Sequence, residues 1–179
     1  MQVRLTQIDR DLLPQIKSID RACLGDFWSM DAYAREIDSP NSSLIALITS
    51  GNVVLGFGCL WAILEEAHIT ILAVRPEYQQ QSLGRYLVWG LLQEANIKGL
   101  EWATLEVRAS NCAAINLYES FGFIEIGRRR NYYQASNEDA LILWRKGLHL
   151  PEFPSMLQAW QQDIQSRLAA KGWEVMGNM

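Results

Sequence analysis

At 179 residues, 49% apolar and 20% charged, the chain is long and apolar enough to fill the core of one domain and is not a candidate for disorder. Sixteen Lys and Arg against 20 Asp and Glu give a formal charge of −4, which disfavours an extended nucleic-acid footprint. No apolar run approaches the roughly 18 residues of a membrane span, and the opening Met1-Gln2-Val3-Arg4 lacks the apolar stretch of a secretory signal, so a cytoplasmic protein with no membrane partner is expected.

Taken in chain order, residues 1 to 36 read as helical, with Leu12, Leu13, Ile16 and Ile19 recurring every 3 to 4 residues and Ser29 placed to cap a second short helix through Ile37. From Ser43 the texture becomes β-like. Leu44 to Thr49, the hairpin signal Ser50-Gly51-Asn52, the apolar run Val53 to Leu64 and a third run Ala67 to Val74 predict an antiparallel meander. Pro76 ends the third strand, residues 79 to 84 form a polar turn, and Leu83, Leu87, Leu91 and Leu92 mark a helix that Gly99 stops. Trp102 to Val107 then reads as a strand and Cys112 to Phe121 as a helix. Residues 123 to 127 and 128 to 133 come next as strand-like pieces, and Ala140 to Trp144 as the last strand. Pro151 and Pro154 bracket a break, after which Leu157, Trp160, Ile164 and Leu168 line one side of an appended amphipathic helix. The whole is a mixed α+β fold without internal repeats.

Two segments carry candidate chemistry. The turn Gln79-Gln80-Gln81-Ser82-Leu83-Gly84-Arg85 leads into a helix N-terminus, whose unpaired N–H groups and positive dipole end suit a diphosphate. It is neither a Walker A nor a dinucleotide motif, and an ordinary polar connection explains it equally. In the second, Glu106 lies inside a β pattern, where Glu is depleted, between Leu105 and Val107 on the opposite face. It is either an outward Glu paired with a neighbouring strand's cation or a general base at a sheet opening. Ser110 and Asn111 are good helix caps, and Tyr118 keeps helical spacing with Ile115 and Phe121, as a core-edge aromatic does. Cys23, Cys59 and Cys112 are odd in number with no CxxC pair, so neither a disulfide framework nor a thiolate zinc site is expected. Cys112 reads as a small apolar residue, and His68 and His149 lack a partner at ligand spacing, so no metal is expected. Arg128-Arg129-Arg130 with Tyr132-Tyr133 reads as an edge strand with a candidate peptide-side role.

The stretches I-L-A-V-R-P-E-Y-Q-Q-Q-S-L-G-R, L-E-V-R-A-S-N-C-A-A-I-N-L-Y-E-S-F-G-F and R-R-N-Y-Y resemble the GNAT acetyltransferases, most closely their RimI-type branch, which acetylates the N-terminal alanine of a small-subunit ribosomal protein. The resemblance implies the GNAT fold: a central mixed, mostly antiparallel sheet, splayed at the acetyl-CoA site and flanked by helices. It covers an acetyltransferase domain, 1–148, and stops before a C-terminal helical extension, 149–179, whose apolar stripe either packs on its own domain or serves self-association, partner contact or cover over the acceptor groove. It implies that Leu72, Ala73 and Val74 hold the pantetheine arm and acetyl group by backbone hydrogen bonds, that Gln80, Gln81, Ser82, Leu83, Gly84 and Arg85 cradle the pyrophosphate, and that Asn111 contacts the cofactor. Glu106 corresponds to the general base and Tyr118 to the general acid of direct transfer from acetyl-CoA to a protein N-terminus, a ribosomal one by this branch. Lysine side chains or small amines are the alternative acceptors, and a non-catalytic acyl-CoA sensor or ribosome-binding protein is the alternative of another class. One departure is Ser82, where the family's turn carries its first Gly: either Ser82 adopts a strained positive φ or its hydroxyl donates to phosphate.

Overall fold

In the computed structural model, which describes residues 1–177, the chain opens on a strand, β1 (Gln2–Gln7). The helical reading of residues 1 to 36 is corrected there, because Val3 and Leu5 are buried alternately with Gln2, Arg4 and Thr6, the period of a strand. The apolar 3.6-residue pattern belongs only to the two helices after it: α1 (Leu13–Leu24), with Pro14 in its first turn, and α2 (Met30–Asp38), capped by Ser29 Oγ accepting from the Ala32 N–H at 3.1 Å.

The meander forms as expected from β2 (Ser42–Thr49), β3 (Val54–Ile63) and β4 (Glu66–Val74). Then come α3 (Leu83–Ile97), β5 (Trp102–Arg108), α4 (Cys112–Glu119), β6 (Ile124–Tyr133), β7 (Glu138–Lys146), α5 (Phe153–Ala169) and β8 (Glu174–Val175). The two strand-like pieces at 123 to 133 are one strand, β6, whose ladder to β7 is interrupted by two irregularities. The sheet has the order β6-β7-β5-β4-β3-β2-β1-β8; its pairings are antiparallel except β4 with β5 and β1 with β8. β6 is an edge strand, as its Arg-rich sequence indicates.

One face of the sheet packs on α3, α4 and α5 through Leu87, Leu91, Phe121, Leu157 and Leu168, the other on α1 and α2 through Ile16, Ile19, Tyr33 and Phe57. The stripe of α5 is buried within the first of these layers, and the buried Trp89 donates its indole N–H to Leu157 O at 2.8 Å. Beyond α5 the chain returns to the sheet, where β8 pairs in parallel with β1 (Gln2↔Glu174, Val3↔Val175). Two residues carry no periodicity, so no sequence pattern marks β8. The last two residues of the 149–179 segment lie outside the described residues.

Candidate active site

β4 and β5 pair only at Glu66–His68 against Trp102–Thr104, although β4 continues to Val74 and β5 to Arg108. The cause lies on β4's other edge. Its register with β3 shifts between Cys59 and Leu60, leaving Thr70 as an extra residue, and such a bulge bends and twists a strand. Past it the strands diverge around a cleft of about 600 Å³, walled by Ile69 to Leu72, Leu105 to Arg108, Cys23, Phe27, Asn111, Ala114, Tyr118 and Tyr133.

The backbone of β4 that faces this gap follows from ladder alternation. Arg75 N–H donates to Leu55 O at 2.8 Å, so in the antiparallel pair Ala73 opposite Phe57 also turns its amide and carbonyl toward β3. Leu72 and Val74 therefore direct theirs into the gap. Val74 O there accepts from Gln79 Nε2 at 3.0 Å and from Cys23 Sγ at 3.4 Å. Gly56 keeps β3 close behind this edge: a Cβ at that position would stand 2.6 Å from Ala73 O.

Glu106 and Tyr118 enter the cleft from opposite faces. Leu105 and Val107 are buried in the layer under α3 and α4, so alternation places Glu106 on the other face, at 19% side-chain exposure. There His68 Nε2 donates to Glu106 Oε2 at 2.8 Å, and the Arg129 guanidinium lies 3.5 Å from Glu106 Oε1. The His68 hydrogen bond holds the Glu106 carboxyl below its ordinary range against a desolvation that pushes the other way, and the same bond raises the His68 imidazole. Glu106 is thus ionised at neutral pH. Tyr118 belongs to the layer under α3; burial, with Tyr133 nearby, raises its phenol well above the ordinary value, so it keeps its proton. Its ring packs edge-on against Phe123 at 5.6 Å, an arrangement set by the turn after α4, in which Gly122 takes φ +84° and Phe123 N–H returns to Tyr118 O.

The turn before α3 settles the Ser82 question: φ is +66°, and its side chain makes no capping hydrogen bond. Gln80 is left-handed as well, with φ +59°. Two non-glycine residues in this region store strain of about 1 to 3 kcal/mol each. The first closing bond of α3 is Tyr86 N–H to Ser82 O, so the N–H groups of Leu83, Gly84 and Arg85 precede the helix's own acceptors. Gly84 touches Leu117 and Val74 only at ordinary distances from where a Cβ would stand, so Ala also fits there. The side chain of Arg85 turns away along α4, donating to Ser120 Oγ at 2.8 Å with its guanidinium over the Phe121 ring.

The fold thus gathers Leu72, Glu106, Asn111 and Tyr118 around one cleft, with Val74 at the end of the same strand as Leu72. Gln80 to Arg85 form the adjoining turn, and Asn111 Oδ1 caps α4 by accepting from Ala114 N–H at 3.1 Å. Sequence reasoning missed His68, and it read Arg129 only as part of a basic edge strand with a candidate peptide-side role, not as a partner of Glu106. Their only signal is position in strands whose pairing with β5 and β7 is a tertiary fact. Among the described residues no cluster of three or more His, Cys, Asp or Glu could hold a metal, and no helix is long and apolar enough to cross a membrane.

A parallel pair that splays beside a helix N-terminus, with a carboxylate and a phenol lining the gap from opposite faces of the sheet, suits acyl transfer from an extended thioester donor. Residues 13–123 match the model of the acetyltransferase (GNAT) family, and the chain belongs to that family. It is similar to the [ribosomal protein bS18]-alanine N-acetyltransferase of Escherichia coli K12, 36% identical over 141 residues, 78% of this chain and 94% of that one. The N-alpha-acetyltransferase RimI of Mycobacterium tuberculosis is 35% identical over 124 residues, 67% of this chain and 76% of its own length. The crystal structure of the E. coli ribosomal-protein-S18-alanine N-acetyltransferase superposes with a TM-score of 0.73 at 35% identity, covering 80% of this chain and 93% of that chain. The chain is a GNAT acyltransferase, and its fold is one that binds acetyl-CoA.

Proposed function

We propose that the enzyme transfers acetyl from acetyl-CoA to the α-amine of an N-terminal alanine on a ribosomal protein, a substrate of the kind its relatives' names state. The observation that carries the reading is the ionised Glu106 carboxylate and the protonated Tyr118 phenol lining one cleft between the splayed strands. Acetyl-CoA supplies an activated thioester. Leu72 and Val74 offer gap-facing backbone groups to its pantetheine arm, with Ala73 anchoring the strand from behind. The first-turn amides of Leu83 to Arg85 meet the diphosphate, and Asn111 borders the arm. Glu106 accepts the proton of the attacking amine, directly or through water, with His68 and Arg129 holding its carboxylate in place. Tyr118 gives its proton to the departing thiolate. No covalent enzyme intermediate is needed.

Elementary acid–base chemistry favours an α-amine. With a pKa of about 8 it is roughly a tenth unprotonated at pH 7, whereas a lysine side chain at about 10.4 is below a thousandth. A carboxylate held below its ordinary range is a weak base, and it serves the α-amine better. In this reading the 149–179 segment is an extension appended to the 1–148 acetyltransferase domain. Its helical stripe is spent inside the protein rather than on self-association. The acceptor is then a protein N-terminus made in the same cytoplasmic compartment. Incubation with acetyl-CoA and three acceptors, an Ala-starting ribosomal-protein peptide, an N-blocked lysine peptide and a polyamine, followed by mass spectrometry, tests it. Acetylation of the first alone is expected, and preferential acetylation of either other acceptor overturns the proposal.

A further inference from the structure

The turn before α3 is tied to the far end of the chain. Gln81 Oε1 accepts a hydrogen bond from Trp173 Nε1 at 2.9 Å, across 92 residues of sequence. Gln81 Nε2 reaches back toward Glu77 O at 3.4 Å, so both ends of this side-chain amide are engaged within the protein. The Trp173 ring, 2% exposed, also packs edge-on against Tyr78 at 6.0 Å, at the opposite side of the same connection. Trp173 itself has little freedom: its N–H donates to Leu168 O at 2.9 Å, and the next residues are stitched to β1 by Glu174 N–H to Met1 O and Met176 N–H to Val3 O, both 2.9 Å. The indole is therefore set by the sheet and by α5. Gln81 lies between Gln80 and Ser82, both left-handed, and such a turn persists only where its surroundings over-determine it. The hydrogen bond and the ring contact are external restraints of that kind.

We propose that Trp173 is a positioning residue for acetyl-CoA: through its indole N–H it fixes Gln81, and with it the path of the turn whose amides receive the diphosphate. The proposal rests on the reading of residues 80 to 85 as the diphosphate turn. It moves the side chain of Gln81 from ligand contact to brace, leaving the phosphates to backbone N–H groups. The C-terminal segment thereby acts on the donor site rather than on the acceptor.

The test compares Trp173→Phe, which keeps an aromatic ring against Tyr78 but removes the donor, with Gln81→Leu, which removes the acceptor, and with the double variant. Each is assayed with acetyl-CoA and with S-acetylpantetheine, which lacks the diphosphate. Losing one hydrogen bond between neutral groups corresponds to a rise of about twofold to tenfold in KM for acetyl-CoA in either single variant. A kcat within about twofold of the parent, an unchanged KM for S-acetylpantetheine and a double variant no worse than either single are expected with it. An unchanged KM for acetyl-CoA in both singles, effects that add in the double, or an equal rise with S-acetylpantetheine overturns the proposal. If Trp173→Phe does not fold, Gln81→Leu at its half-buried position carries the same comparison. Failure of the underlying reading shows separately, in the parent enzyme, as equal KM values for the two donors.

Discussion

The cleft between β4 and β5 and the turn before α3, which in the proposed function serve the two ends of one donor, are built in opposite ways. The cleft uses regular strands in relaxed extended backbone; a single bulge at Thr70 opens it, and hydrogen-bonded side chains tune it. The turn uses two left-handed non-glycine residues and depends on a tryptophan 92 residues away to hold its shape. Chemistry is thus placed where backbone geometry is cheap and self-consistent. The proposed diphosphate turn lies where local geometry is costly and is braced from elsewhere in the fold.

The coarsest way to break this contrast is to remove the turn's distant support. A chain ending at Leu150 loses Phe153, Leu157, Ile164, Leu168 and Trp173 from the core, a loss on the order of 10 kcal/mol at about 1.5 to 3 for each buried side chain. That is comparable to the whole stability of a typical domain, about 5 to 15 kcal/mol. No cooperative thermal transition is expected by calorimetry; a cooperative transition near that of the full chain would make the terminal segment dispensable for folding.

Glu106→Gln addresses the cleft alone. It keeps the shape and removes the proton acceptor, so turnover is expected to fall by about 10²- to 10⁴-fold with acetyl-CoA affinity held within about twofold. Steady-state kinetics with titration calorimetry decides this, and a matching loss of acetyl-CoA binding would merge the two regions into one. Ser82→Gly addresses the turn alone. Relief of the left-handed serine, offset in part by the larger backbone entropy that glycine loses on folding, is expected to stabilise the protein by up to about 1 kcal/mol, a rise of some 2 to 4 °C in Tm by differential scanning, with kcat unaffected. A lower Tm would show that the turn does not carry the strain its φ implies.

The smallest effect concerns the pair inside the cleft. Glu106 is lowered by folding, so its share of stability is present above the unfolded carboxylate value near 4.3 and fades as pH falls through the folded one. His68 is raised, so its share is present below about 6.5 and fades as pH rises through its folded value. Both hold together between about pH 4.5 and 6.5. His68→Gln is therefore expected to cost most at pH 5.5 and less at pH 9, by under about 1 kcal/mol because the pair is partly solvent-screened. Thermal unfolding of both proteins at the two pH values measures the difference, and an equal cost at both would show that the bond does not depend on the charge of His68.

Much of the architecture was legible where segments were long and strongly patterned. The meander shows as apolar runs broken by a hairpin signal, α3, α4 and α5 carry a period near 3.6, and Ser29 announced its cap. β1 was lost because six residues of alternation stand beside a longer helical pattern, and β8 because two residues hold no pattern at all. At the site, Glu106 was visible as a carboxylate out of place in a strand, whereas His68, 38 residues earlier, offered nothing until β4 lay beside β5.

By itself the sequence determined the strand–turn–helix leading to Gly84, the carboxylate in its strand, the tyrosine on the following helix, and an ordinary domain length with a Pro-marked end; their acetyltransferase meaning came from the resemblance to the GNAT family. These are local, since spacing along one element specifies them. Tertiary structure alone decided how far β4 and β5 stay together, which groups hold the Glu106 carboxylate, and that Trp173 reaches Gln81. Each of those depends on strand register and on the return of the chain's end to its first strand. Contacts between segments so distant in sequence come from the packing of the whole core and leave no trace in the periodicity of either segment.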